Sequence, residues 1–120
     1  MKRYVDGFVL PVRKDRITDY RAIAEAASRI WKEHGALEYW ECVGDDLHTE
    51  CSRTFTDMTN ATDDETVIFA WVVFESREAR DAANEKIMAD PRMADLIDRD
   101  DPIFDFQRMT HGGFQELVRA

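Results

Sequence analysis

The chain has 120 residues, with 16 Lys+Arg against 25 Asp+Glu and a formal net charge of −9. With 44% hydrophobic and 34% charged residues, its composition is globular rather than disordered, and its length suits one domain, residues 1–120. The negative charge opposes a nucleic-acid partner, since such binding rests on phosphate neutralisation by Lys and Arg, and no apolar run reaches the roughly 20 residues a membrane helix needs.

Residues 4–12, YVDGFVLPV, are rich in β-branched and aromatic side chains and predict a strand. Pro11 donates no ladder hydrogen bond, so it belongs near the strand's end or on an edge. Tyr20, Ile23, Ala24, Ala27, Ile30, Trp31 and His34 then recur at steps of three and four, an amphipathic helix. Asp15 or Thr18 could cap its start, and Gly35 sits where a left-handed residue ends it. Residues 36–43, ALEYWECV, predict a second strand, closed by Gly44-Asp45-Asp46. Residues 47–63 read as a long polar loop whose main apolar members are Phe55 and Met58. The strongest strand is 66–74, TVIFAWVVF. Ser76 caps a second helix carrying Ala79, Ala82, Ala83 and Ile87, and Pro91 opens a short one over 92–97. A last strand is expected from about residue 106 to 118, with a bulge or bend at Gly112-Gly113.

Strand, helix, strand, strand, helix, strand is the ferredoxin-like order. It predicts an α+β fold with a four-stranded antiparallel sheet and both main helices on one face. In the third strand Val67, Phe69, Trp71 and Val73 point one way, and Ile68, Ala70, Val72 and Phe74 the other. Two helices cover one face only. The second apolar face therefore implies another layer, most simply a second copy of the chain in a homodimer.

Several segments carry a family resemblance: residues 4–12, 31–39, 41–46, 89–93 and 108–114. Together they resemble the YbaA-like family of small bacterial proteins, the domain of unknown function 1428. The resemblance implies membership of the dimeric α+β barrel superfamily. It brings no catalytic residues and no cofactor to carry over. Two stretches depart from the family pattern, residues 48–53 and 103–107. The start, residues 1–6, lacks the apolar core of a signal peptide, and a cytoplasmic protein is expected.

A pocket in such a barrel would place a few polar groups among aromatic walls. The candidates for chemistry are His111, Asp6 and Glu41, and those for ligand binding are Trp40, Trp71, Tyr39 and Arg108. His111 is the one histidine placed on a strand, and an imidazole side chain suits proton transfer. Asp6 lies within an apolar strand and needs a partner, for which Arg108 on the last strand is the expected choice. His34 serves the end of the first helix, and His48 is a loop residue. Asp45 and Asp46 point apart on a strand end and make no acid/base pair. Cys42, Cys51 and His48 do not complete a zinc set, and no metal is expected. Two functions fit. One is a dimeric module that binds a small organic metabolite. The other is a cofactor-independent enzyme, oxygenase- or isomerase-like, working from a pocket with His111 and Asp6.

Overall fold

The computed structural model describes residues 2–98 and 100–120. Its elements run β1 (Tyr4–Arg13), α1 (Ile17–Glu33), β2 (Glu38–Val43), α2 (Phe55–Thr59), β3 (Glu65–Phe74), α3 (Arg77–Ala89), α4 (Pro91–Leu96) and β4 (Thr110–Gln115). The strands form one antiparallel sheet in the order β2-β3-β1-β4, the ferredoxin-like arrangement that the chain order predicts.

Strand alternation builds the core. Leu10 and Val12 of β1, with Ile68, Ala70, Val72 and Phe74 of β3, lie on the helix-covered face and are all buried. Tyr20 and Ile30 of α1 and Ala83 and Ile87 of α3 close over them in two adjoining clusters. Small residues at 79 and 83 let α3 approach the sheet. Ser76 caps α3 as expected, accepting from the Ala79 amide at 3.1 Å. Gly35 ends α1 with φ +117°, a conformation that favours glycine. Pro11 lies beyond Val9, where β4 stops pairing with β1, so its missing donor falls on an unpaired edge.

Three local expectations need correction. Neither Asp15 nor Thr18 caps α1. A 3-10 turn, Lys14–Arg16, leads into the helix, and Arg13 engages the Asp15 carboxylate at 2.8 and 3.0 Å. The 47–63 stretch is not all loop. Thr54 accepts from the Asp57 amide at 3.0 Å to start α2, and Asn60 stops it at φ 54°. Finally, β4 is shorter than the expected 106–118, because a 3-10 turn occupies Phe106–Arg108, and it carries no bulge, because Gly112 and Gly113 pair in unbroken register with Gly7 and Asp6. Gly113 instead makes room: a Cβ there would meet the Tyr4 hydroxyl, Tyr4 Cε2 at 2.6 Å and Arg80 Nη1 at 2.8 Å.

The opposite face of the sheet presents Val5, Val9, Val67, Phe69, Trp71, Val73, Trp40 and Phe114. Phe55 of α2 meets Phe69 edge-on, with ring centroids 6.0 Å apart, at one end of this face. Trp40 stacks on Trp71 at 5.5 Å, and Phe69 leans on Trp71 at 5.4 Å. Much of this aromatic surface meets solvent: Trp40 is 51% exposed, Phe69 44% and Phe114 62%. Among the described residues no helix is long and apolar enough to cross a membrane.

Candidate functional site

Between α1 and β2 runs a groove of about 320 Å³. Ile17, Tyr20, Ala24 and Ser28 recur along the α1 wall at helical spacing, and Tyr39, Glu41 and Val43 alternate along β2. The two walls meet at Glu41. Tyr20 of α1 donates its hydroxyl to Oε1, and Tyr39 donates its own to Oε2 at 2.6 Å. Burial, reinforced by the neighbouring carboxylate charge, pushes both phenols above their ordinary range, so both stay protonated donors. The carboxylate is thus fixed by one hydroxyl from a helix and one from its own strand. Arg21 and Glu25 stand exposed at the rim.

Asp6 and His111 share the helix-covered face at the β1–β4 side, diagonal to each other across the register. Asp6 is 7% exposed, and its partner is Arg80 of α3, with Nη1 at 2.6 Å from Oδ1. Burial pushes the Asp6 carboxyl up, and the Arg80 charge opposes that push. Arg80 also lies over the Tyr4 ring, 4.7 Å from its centroid. His111 is exposed and stacks beside its cross-strand neighbour Phe8 at 5.9 Å.

The expected Asp6–Arg108 pair does not form. Arg108 lies in the 3-10 turn Phe106–Arg108, before β4 rather than on it. Its guanidinium grips Glu65 through both terminal nitrogens at 2.8 Å and reaches the Asn60 carbonyl at 2.7 Å. These hydrogen bonds draw the Glu65 carboxyl down to about 2. Trp40 and Trp71 lie on the uncovered face, so the sheet separates them from Asp6, Glu41, Tyr39 and His111. The pocket expected from Trp40, Trp71, Asp6 and His111 together is divided between the two sides. His34 Nε2 lies 3.0 Å from Asp90 Oδ2, a hydrogen bond that ties the end of α1 to the start of α4. Cys42 and Cys51 are free and exposed. Among the described residues no three His, Cys, Asp or Glu converge as metal ligands.

The sequence reading missed Tyr20 and Arg80 as site-forming residues. Tyr20 reads as one more member of the apolar stripe of α1, yet a buried tyrosine needs a partner for its hydroxyl. Arg80 sits among the interleaved charges of α3, where nothing in the spacing distinguishes it from a solvated residue.

Residues 3–106 match the family described as a protein of unknown function, DUF1428. The uncharacterized protein YbaA of Escherichia coli K12 is 40% identical over 116 residues, covering 97% of each chain. Two solved structures share the fold at low identity. A nipsnap family protein of unknown function from Agrobacterium tumefaciens superposes with a TM-score of 0.57 at 15% identity, covering 96% of this chain and 87% of that one. A dimeric ferredoxin-like protein from an uncultured marine organism gives 0.53 at 9% identity, covering 98% and 96%.

Proposed function

The chain belongs to the DUF1428 family, and from that premise we propose a homodimeric α+β barrel that binds a small organic molecule in the groove between α1 and β2. One observation carries the binding part. Glu41 is clamped by Tyr20 and Tyr39 at the meeting of two walls of a 320 Å³ groove. Small-molecule sites combine a largely preformed, mostly apolar cleft of about 300–1,000 Å³ with a few fixed polar groups. The dimer part rests on Trp40, Phe69, Trp71 and Phe114, an aromatic surface on a sheet face that α1 and α3 leave bare. The marine neighbour's description as dimeric accords with it.

An enzyme working through His111 and Asp6 has less support. The carboxylate of Asp6 is already engaged by Arg80, and His111 stands exposed beside Phe8. A residue committed to a buried ion pair makes a poor proton acceptor.

A thermal-shift screen against a metabolite library tests the groove, with Glu41→Gln in parallel. A ligand present at 100 times its dissociation constant stabilises the protein by about 2.7 kcal/mol, and the variant should lose that gain. If no compound moves the wild-type melt, or if the variant responds equally, the groove is not the site. Light scattering at micromolar concentration should give twice 14.0 kDa for the wild type. Trp71→Glu should return the single-chain mass, and a wild-type monomer would refute the dimer.

A further inference from the structure

The binding reading leaves the ligand's chemistry open, and the hydrogen bonds already made within the groove narrow it. A phenol or an aliphatic hydroxyl carries one proton to donate. Tyr20 and Tyr39 each give theirs to Glu41, and Ser28 gives its own to the Glu25 carbonyl at 2.7 Å. The groups left facing the groove offer lone pairs: the remaining acceptor sites of Glu41, two phenol oxygens and the Ser28 oxygen. The Glu25 carboxylate adds another acceptor at the rim. A ligand that itself brings only acceptors would find no side-chain donor among the described residues of this floor. Arg21, the one cation among the described lining residues, stands exposed at the rim, where solvent screens it.

Resting on the groove reading, we propose that the bound molecule is a small organic cation, a protonated amine. Its N–H groups bond the Glu41 carboxylate and the two phenol oxygens, while its carbon body lies along Ile17, Ala24 and Val43. Desolvating an ammonium ion is costly without a counter-charge. Glu41 supplies that charge already oriented, because each of its oxygens is held by a tyrosine. The formal charge of −9 on the whole chain raises the local concentration of cations.

Three probes of one shape and different charge test this by amide NMR titration of the full chain: benzylammonium, benzyl alcohol and benzoate. Benzylammonium should shift the resonances of residues 39–43 and 20–28 saturably. Its affinity should exceed that of benzyl alcohol by about tenfold, and benzoate should leave these resonances unmoved. Glu41→Gln should lower benzylammonium affinity by about tenfold. Raising the salt concentration should weaken wild-type binding of benzylammonium and not of benzyl alcohol, a readout that needs no variant. Equal or tighter binding of the alcohol or the benzoate at the same resonances would overturn the cation and leave the groove standing. Shifts confined to other parts of the chain for all three probes would overturn both.

Discussion

Glu65→Gln removes one charge from the clamp that joins the start of β3 to the turn before β4. Glu65 accepts from Arg108 through both terminal nitrogens at 2.8 Å and from the Thr62 amide at 2.9 Å. Its side chain is 11% exposed and that of Arg108 is 32% exposed. The Arg108 hydrogen bonds, opposed by burial, lower the carboxyl from an ordinary value of 4.5 to about 2. At 1.36 kcal/mol per pKa unit this gap corresponds to about 3 kcal/mol, and about 2 after allowing for the solvent that reaches Arg108. A depressed folded-state pKa gives stability that is complete above the unfolded value. That stability is lost as pH falls through the folded one, so the window here runs from 4.5 down to about 2. Urea unfolding at one protein concentration, at pH 7, 5, 4 and 3, should show the wild type about 2 kcal/mol more stable at pH 7. The gap should narrow below pH 4.5, because the protonated carboxyl of Glu65 and the amide that replaces it are both uncharged. Asp90, Glu33, Asp15 and Glu116, also held low by their partners, titrate in both proteins and cancel from the difference. A gap that stays constant from pH 7 to 3, or one below about 0.5 kcal/mol at pH 7, would refute the clamp.

Gly113→Ala should cost about 1–3 kcal/mol, because the added methyl displaces Tyr4 and pulls Arg80 from Asp6. Gly112→Ala next to it meets only Phe114 at 3.9 Å and should cost less than about 1 kcal/mol, so equal melting temperatures for the two variants would contradict this account. Ser76→Ala removes the cap of α3 and should destabilise by about 1 kcal/mol in urea titration, whereas an unchanged midpoint would mean that the Ala79 amide finds another acceptor. Cys42 lies on the uncovered sheet face and Cys51 in the following loop, both exposed in one chain. Reaction with a thiol reagent should be fast at Cys51 and slow at Cys42, and Trp71→Glu should make both fast; a single rate for the wild type would speak against burial of that face.

The sheet is legible in the sequence because strand alternation and chain order are local properties. Residues 66–74 show their two apolar faces directly, and Ser76, Gly35 and Pro11 mark ends by backbone chemistry. The partners of buried charges are not legible. The expected partner of Asp6 lies along the sheet on a neighbouring strand, but its arginine comes down from α3. Arg108 falls outside β4 because that strand begins only at Thr110, and the displaced guanidinium finds Glu65. Such pairings depend on where a helix crosses a sheet, and no periodicity records that. The same holds for Tyr20: its place in the stripe is visible in the spacing, and its hydroxyl's partner is not.

The strand β2 connects the two halves of the proposed function. Tyr39 and Glu41 point into the groove under α1, while Trp40 and Cys42 point to the bare face. Because side chains alternate strictly, a shift of one residue in the pairing of β2 with β3 would exchange these sets, placing a carboxylate in the aromatic layer and a tryptophan against α1. Register is therefore under double constraint here, although β2 is an edge strand with only β3 to hold it. The Trp40–Trp71 stack on one side and the Tyr20–Glu41 bond on the other each favour the same register. The proposed assembly and the proposed ligand binding would then be coupled through a six-residue strand. Fixing Trp40 against a second chain restricts the backbone that carries Glu41, so a ligand held by Glu41 should bind the dimer more tightly than the Trp71→Glu monomer. Equal affinity for both would show that the two faces of β2 act independently.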